Sequence, residues 1–276
     1  MPNYDEIIDT ALEGFDLAGL RILDAGSGRM SARALIDRKP KHLTCICAPQ
    51  DRFKIDSTFN ELGGERVDAR VMGADLSEPN LFQSASFDFI LADHLVSEID
   101  IFAPGKHVVV LASLFDYLES GGNIVVIDIE PDKPQPLDPA FAPHQKVLEI
   151  DLTAMELAEM DNLTRYRQYI NARKFLHELA LNRGIPGFRQ IPGDWVEKWM
   201  IGVGFTNVTP QLASMIIEVE VDQEFEERSR SLMNLVKDDK LRKYLEALLD
   251  RTEGLLHEAA PFDIEQDVYI ISAGKD

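Results

Sequence analysis

Cysteine is nearly missing from this chain of 276 residues: there are two, Cys45 and Cys47. They stand two apart in an apolar run, which in a strand places both on one face. A disulfide between them would be strained, and no other cysteine exists to build a framework. Both are therefore expected as buried, reduced thiols. A metal site would need partners that the sequence does not offer. Basic residues are scarce as well. Lys and Arg number 28 against 48 Asp and Glu, a formal charge of −20. A surface of that sign repels phosphate backbones, which disfavours nucleic acid as a partner without excluding a local basic patch. No run approaches the roughly 18 uninterrupted apolar residues of a membrane span. Met1-Pro2-Asn3-Tyr4-Asp5-Glu6 lacks the basic and apolar regions of a secretory signal. These absences point to a soluble cytoplasmic protein. Internal repeats and low-complexity segments are absent too.

What is present alternates. Residues 4–15 read as an amphipathic helix with Ile7, Ile8, Ala11, Leu12 and Phe15 on one side. An apolar strand over 20–25 runs into Gly26-Ser27-Gly28, and residues 30–38 are helical in pattern. A second strand, 42–48, is stopped by Pro49; a helix over 51–63 follows, ended by Gly63-Gly64. Further strands are expected at 66–72, 87–92 and 123–129, the last after a helix over 106–119 stopped by Gly121-Gly122. Such short apolar strands alternating with helices suit a parallel sheet covered on both faces. The expected class is α/β, a doubly wound, mostly parallel sheet. Residues 1–131 form its first part. Four prolines between 131 and 139 begin a helical cap or insertion over 132–194, on the substrate side. Residues 195–276 complete the sheet. There Asp194 is expected to cap a helix, 205–208 and 215–221 are extended, 222–257 is a charged helical insertion, and 267–273 is the last strand.

The sharpest motif is Leu23-Asp24-Ala25-Gly26-Ser27-Gly28. In an open α/β sheet, ligands bind beyond the carboxyl ends of the strands, and glycines let a ligand approach the backbone. A dinucleotide fingerprint needs a third glycine or alanine where Ser31 stands, and an acid at the end of the second strand, which reads Cys45-Ile46-Cys47-Ala48. Both gaps disfavour a nicotinamide cofactor.

The same motif resembles the nucleotide-binding loop of class I S-adenosylmethionine-dependent methyltransferases. Four further segments resemble that family in order: Gly73-Ala74-Asp75-Leu76, Phe87 to His94, Tyr117 to Val126, and Val203 to Val208. Val268-Tyr269-Ile270-Ile271 would be its antiparallel seventh strand. The resemblance implies a seven-stranded sheet and S-adenosylmethionine as cofactor. It places Asp24, Gly26, Ser27 and Gly28 on the methionine part, Asp75 with Leu76 on the adenine, and Asp93 on the amino group or the loop. Two departures stand out. Cys47 takes the place of the acid that holds the ribose hydroxyls, with Gln50 and Asp51 the nearest alternatives. Met30 replaces the third glycine of the loop.

Methyl transfer from a sulfonium mainly requires positioning; an oxygen or nitrogen nucleophile can in addition call for a base, and whether one is used stays open. His94 and Asp93, at the end of the fourth strand, are the catalytic candidates; His94 is the base because its ordinary pKa is about 6.5. Glu130 ends the fifth strand on the same edge. Tyr4 is placed to close over the cofactor. Tyr166, Tyr169 and Arg173 share one face of a helix in the only basic, aromatic stretch, where Arg173 could pair with a substrate anion. His177 is a second candidate base. Each of these residues also has a plain structural reading. The expected activity is methyl transfer to a small molecule, enclosed by a cap of about 60 residues. The alternatives are a protein methyltransferase with a basic partner, and a non-catalytic cofactor-binding or assembly protein. The oligomeric state, a homodimer included, stays open.

Overall fold

A computed structural model describes residues 2–26, 28–49, 52–62, 67–131, 190–219 and 262–276, with the helical residues 230, 239–240, 242–243, 246–247 and 250. The chain divides into two compact units. One comprises Met1–Pro131, Pro186–Ile216 and Glu265–Asp276; the other comprises Asp132–Ile185 and Ile217–Ile264. In the second unit the described helical residues are paired on an exposed surface: Arg230 with Asp250 at 2.8 Å, and Arg242 with Asp239 at 2.7 Å.

The first unit is built in strand–helix order. Its elements are α1 (Tyr4–Ala11), β1 (Arg21–Ala25), α2 (Arg29–Asp37), β2 (His42–Cys47), α3 (Arg52–Glu61) and β3 (Ala69–Gly73). Then come β4 (Phe87–Asp93), α4 (Leu95–Phe102), α5 (His107–Tyr117), β5 (Leu118–Ile129), α6 (Gly193–Val203), β6 (Thr206–Val219) and β7 (Phe262–Gly274). The seven strands form one sheet in the order β3-β2-β1-β4-β5-β7-β6. β1 pairs in parallel with β2 and β4, β2 with β3, and β4 with β5. β7 runs antiparallel to β5, with Val126 opposite Ile271. The order reverses between β1 and β4, which opens a crevice at their carboxyl ends.

The strands are apolar on both faces because both faces are covered. Ile22, Leu23, Ile90, Leu91, Val125 and Val126 are all completely buried. At roughly 1.5–3 kcal/mol for each such side chain, this burial is the main term holding the sheet. Both cysteines are buried and form no disulfide, as their apolar setting suggests.

Several boundaries differ from the sequence expectation. α1 stops at Ala11 rather than at residue 15; Asn3 and Glu6 form a capping box at its start, and Gly14 at φ +92° turns the chain soon after its end. Phe15, outside the helix, meets Phe89 edge-on at 5.2 Å. α5 ends at Tyr117, and the Gly121-Gly122 pair does not stop it but lies inside β5. Tyr117 and Leu118 are both buried, so the chain passes from helix to strand without a surface loop. The glycines serve a bend there. Gly121 has φ +77°, and a Cβ on Gly122 would lie 2.9 Å from the Asp88 and Glu119 carbonyl oxygens. The expected extended pieces 205–208 and 215–221 share one strand, β6, over Thr206–Val219, despite Pro210; residues 220 and 221 lie outside the described residues. β6 is the outermost strand, where a missing N–H is tolerated. Helix α4 was not anticipated. Asp194 is in the first turn of α6 and pairs with Lys198 at 2.8 Å, while the N-cap position is Pro192.

Candidate functional site

The crevice holds a cavity of about 450 Å³, within the usual range for small-ligand sites. It is lined from four strand ends: Gly26 and Gly28 after β1, Cys47 to Pro49 after β2, Ala74 to Leu76 after β3, and Asp93 to Leu95 at β4. α4 adds Glu98.

Gly26 has φ +87°, and a Cβ there would lie 2.7 Å from the Asp93 carbonyl oxygen. Only glycine allows the β1 loop to press so closely on β4. Gly28 is the opposite case. Nothing lies within 4 Å of a Cβ built on it, so the backbone is open to the cavity. The loop is tied down from below. The Gly28 N–H donates to Ser31 Oγ at 3.0 Å, and Ser31 Oγ donates to Asp24 Oδ2 at 3.1 Å. Asp24 is 0% exposed and is not part of the lining; it holds the loop through Ser31. Ser31, first seen as a break in a glycine pattern, is thus the link between strand and loop. Met30 is 44% exposed and lies outside the lining. Ser27, Gln50 and Asp51 lie outside the described residues, as do Tyr166, Tyr169, Arg173 and His177.

On the β2–β3 side, Cys47 lines the cavity, and its thiol donates to the Met72 carbonyl at 3.7 Å. Asp75 Oδ1 accepts the Ser77 N–H at 2.7 Å. That bond orients the carboxylate, and Asp75 lines the cavity. Leu76 is buried against the core and lines the same wall.

On the β4 side, His94 adopts φ +53°, ψ +9° at the N-cap of α4. A left-handed non-glycine residue costs roughly 1–3 kcal/mol and persists where its surroundings hold it. Here they do. The His94 N–H donates to Ile127 O at 2.9 Å. The ring of Tyr4 stacks on the imidazole, with centroids 4.8 Å apart. His94 Nδ1 lies 3.5 Å from Asp128 Oδ1. Tyr4 donates its hydroxyl to Asp93 Oδ1. Burial would lower the His94 pKa, but Asp128, Asp93 and Glu98 outweigh it and push the pKa up to about 9. These carboxylates favour the charged, imidazolium form of His94. Burial raises the Asp93 pKa, opposed by His94 and Tyr4 and aided by Asp128. Burial and then Asp93 raise the Tyr4 phenol well above its ordinary value.

Asp128 and Glu130, two apart at the end of β5, perform the same task for two helices. Asp128 Oδ2 accepts the Ser97 N–H of α4 at 2.8 Å, and Glu130 Oε2 accepts the Gly193 N–H of α6 at 2.9 Å. Neither helix has a side-chain cap of its own. A carboxylate from a neighbouring strand satisfies the orphan donor and meets the positive end of the helix dipole. Glu130 does not line the cavity; it faces α6. This also explains why Asp194 is not the cap. Spacing could not reveal either pairing, because the partners are 31 and 63 residues apart. Among the described residues, no group of His, Cys, Asp and Glu could hold a metal, and no helix is long and apolar enough to cross a membrane.

The sequence matches no protein-family model and no curated protein. Solved structures do match it. A Bacillus halodurans protein of assumed methyltransferase activity superposes with a TM-score of 0.56 at 11% identity, over 98% of this chain and 99% of that one. A [4+2]-cyclase, SpnF, gives 0.52 at 15% identity, over 98% and 80%. Phosphoethanolamine N-methyltransferase 2 of Haemonchus contortus, solved with phosphomonomethylethanolamine and S-adenosylhomocysteine, gives 0.51 at 12%, over 98% and 52%. Strand order, switch-point cavity and these neighbours agree: the chain has the class I methyltransferase fold. Fold alone does not assign the chemistry, as a cyclase among the neighbours illustrates.

Proposed function

We propose that this chain binds S-adenosylmethionine in the β1–β4 cavity and transfers its methyl group to a small molecule. The observation that carries the reading is the cavity itself. It combines a glycine-only approach at Gly26, an open backbone at Gly28 and an oriented carboxylate at Asp75. Gly26, Ser27 and Gly28 would cradle the amino-acid end of the cofactor, held from beneath by Asp24. Asp75 would take the adenine amino group, and Leu76 the ring. Cys47 would stand at the ribose, and Asp93 near the amino group. When bound, the cofactor supplies a methyl group on a sulfonium.

The chain's own residues then have three tasks. Tyr4 covers His94 and limits access of water to the β4 corner. Asp93 and Glu98 place negative charge beside the cavity, which suits a cationic ligand. His94, once neutral, takes a proton from the nucleophile. Choice of substrate is assigned to Tyr166, Tyr169 and Arg173 in the segment 132–194, on sequence grounds, with Glu130 left to α6. Cys47 at the ribose position favours one other reading, a chain that binds the cofactor without transferring methyl.

Calorimetry decides the first point. Both S-adenosylmethionine and S-adenosylhomocysteine should release or absorb measurable heat at sub-millimolar concentration, and a nicotinamide dinucleotide should not. No heat from either sulfur ligand at millimolar concentration removes the reading.

A further inference from the structure

We propose that Asp128, Asp93 and Tyr4 position His94 at the cavity wall so that it gives up one proton when a sulfonium ligand enters, and keeps that proton when the ligand is the neutral thioether. The base would thus be armed by the methyl donor and disarmed by the demethylated product. The inference rests on the cavity being the cofactor's site, and adds to it a charge coupling that no fold likeness supplies.

The geometry is specific. His94 lines the cavity, and its Nδ1 faces Asp128, whose side chain is 0% exposed. Asp128 cannot swing away, because Ser97 N–H at 2.8 Å and Ile129 N–H at 2.8 Å hold its two oxygens. Tyr4 from α1 covers one face of the ring. The charged groups acting on His94 are Asp93 from β4, Asp128 from β5 and Glu98 from α4; all are acidic. Tyr269 from β7 acts on Tyr4 rather than on His94. Against this background the imidazolium is the one cation on the β4 side of the described lining, Arg29 standing after β1. A sulfonium held in this cavity would add a second positive charge and oppose it. At protein-like screening and a separation of about 6 Å, that opposition would be worth about a hundredfold in proton affinity. The proton leaves Nδ1 or Nε2 for solvent; no covalent bond changes.

The test compares the two ligands on the intact protein. Calorimetry at pH 8 in two buffers of different ionisation heat should show release of about one proton with S-adenosylmethionine and almost none with S-adenosylhomocysteine. Between pH 7 and 9 the affinity for the sulfonium should climb by up to about tenfold per pH unit, while that for the thioether stays level. His94→Gln should abolish both differences. Asp128→Asn should shrink the release at pH 8; because that change also touches the α4 cap, NMR titration of His94 in the wild type gives an independent readout. Its midpoint should fall by at least about one pH unit with the sulfonium and stay put with the thioether. Equal proton release for both ligands, parallel affinity profiles, or persistence of the difference in His94→Gln would overturn the inference while leaving the cofactor site intact. Failure of both ligands to bind would instead remove the site assignment.

Discussion

Gly26 and Gly28 are two residues apart in the same loop, yet the structure gives them opposite burdens. Replacing Gly26 by alanine puts a Cβ 2.7 Å from the Asp93 carbonyl oxygen and 3.3 Å from Leu95 Cβ, on a backbone with φ +87°. The left-handed conformation alone costs about 1–2 kcal/mol for alanine. The carbonyl is main chain at the end of β4, where Asp93 pairs with Ile127, so it cannot move aside cheaply. Displacing packed backbone adds a similar amount, for a total of about 3 kcal/mol. Gly28→Ala meets nothing within 4 Å, at φ −118°. Its cost should stay below about 1 kcal/mol, the loss of a tolerable N-cap. The new methyl group would, however, project into the space where a ligand approaches the loop. Urea unfolding should therefore separate the two variants in stability, and calorimetry should show Gly28→Ala folded but weakened at least tenfold for S-adenosylmethionine. Wild-type stability in Gly26→Ala would refute the packing argument. Unchanged ligand affinity in Gly28→Ala would refute the cradle.

Other outcomes follow from the same geometry. Asp75→Ala should lower cofactor affinity at least tenfold with the fold intact, since a lost hydrogen bond to a charged group is worth roughly 1.5–3 kcal/mol; calorimetry and circular dichroism check both halves. Asp24→Ala should weaken the same affinity through the loop, because it removes the acceptor of the Ser31 hydroxyl. The raised pKa of His94 makes stability depend on pH with a definite sign. The folded value, about 9, lies above the ordinary 6.5. Its contribution is thus complete below pH 6.5 and lost as pH rises through 9, a decline of up to about 3 kcal/mol. Unfolding free energies across that window should fall in the wild type and flatten in His94→Gln. At the amino ends of the inner strands, away from the cavity, Arg21 bonds Asp88 at 2.6 Å and Glu119 at 3.2 Å. These side chains are partly exposed, so Arg21→Ala should cost only about 1 kcal/mol in thermal or chemical unfolding and leave ligand binding untouched.

Much of the architecture was written locally. Apolar runs of strand length, the glycine corner after β1 and the acid after β3 can each be read over a few residues, because each reflects burial or turn geometry decided within that span. Boundaries were less legible where long-range packing overrode a local signal. Gly121-Gly122 looks like a helix stop, but the register of β5 against β4 made it a bend within a strand. Pro210 looks like a strand break, but an outer strand accepts it. α4 was hidden because it begins at His94, a poor cap by type, and takes its capping carboxylate from β5.

Read alone, the residues determined the class of fold, the order of most elements and the candidate ligand loop, since hydrophobic period and glycine placement act along the chain. Tertiary structure decided what the site carboxylates do. Asp24 braces a loop, Asp128 holds an imidazole and a helix, and Glu130 caps α6 instead of facing the cavity. The physical reason is that a buried charge takes its role from whichever donors the fold brings to it, and those donors come from distant parts of the sequence.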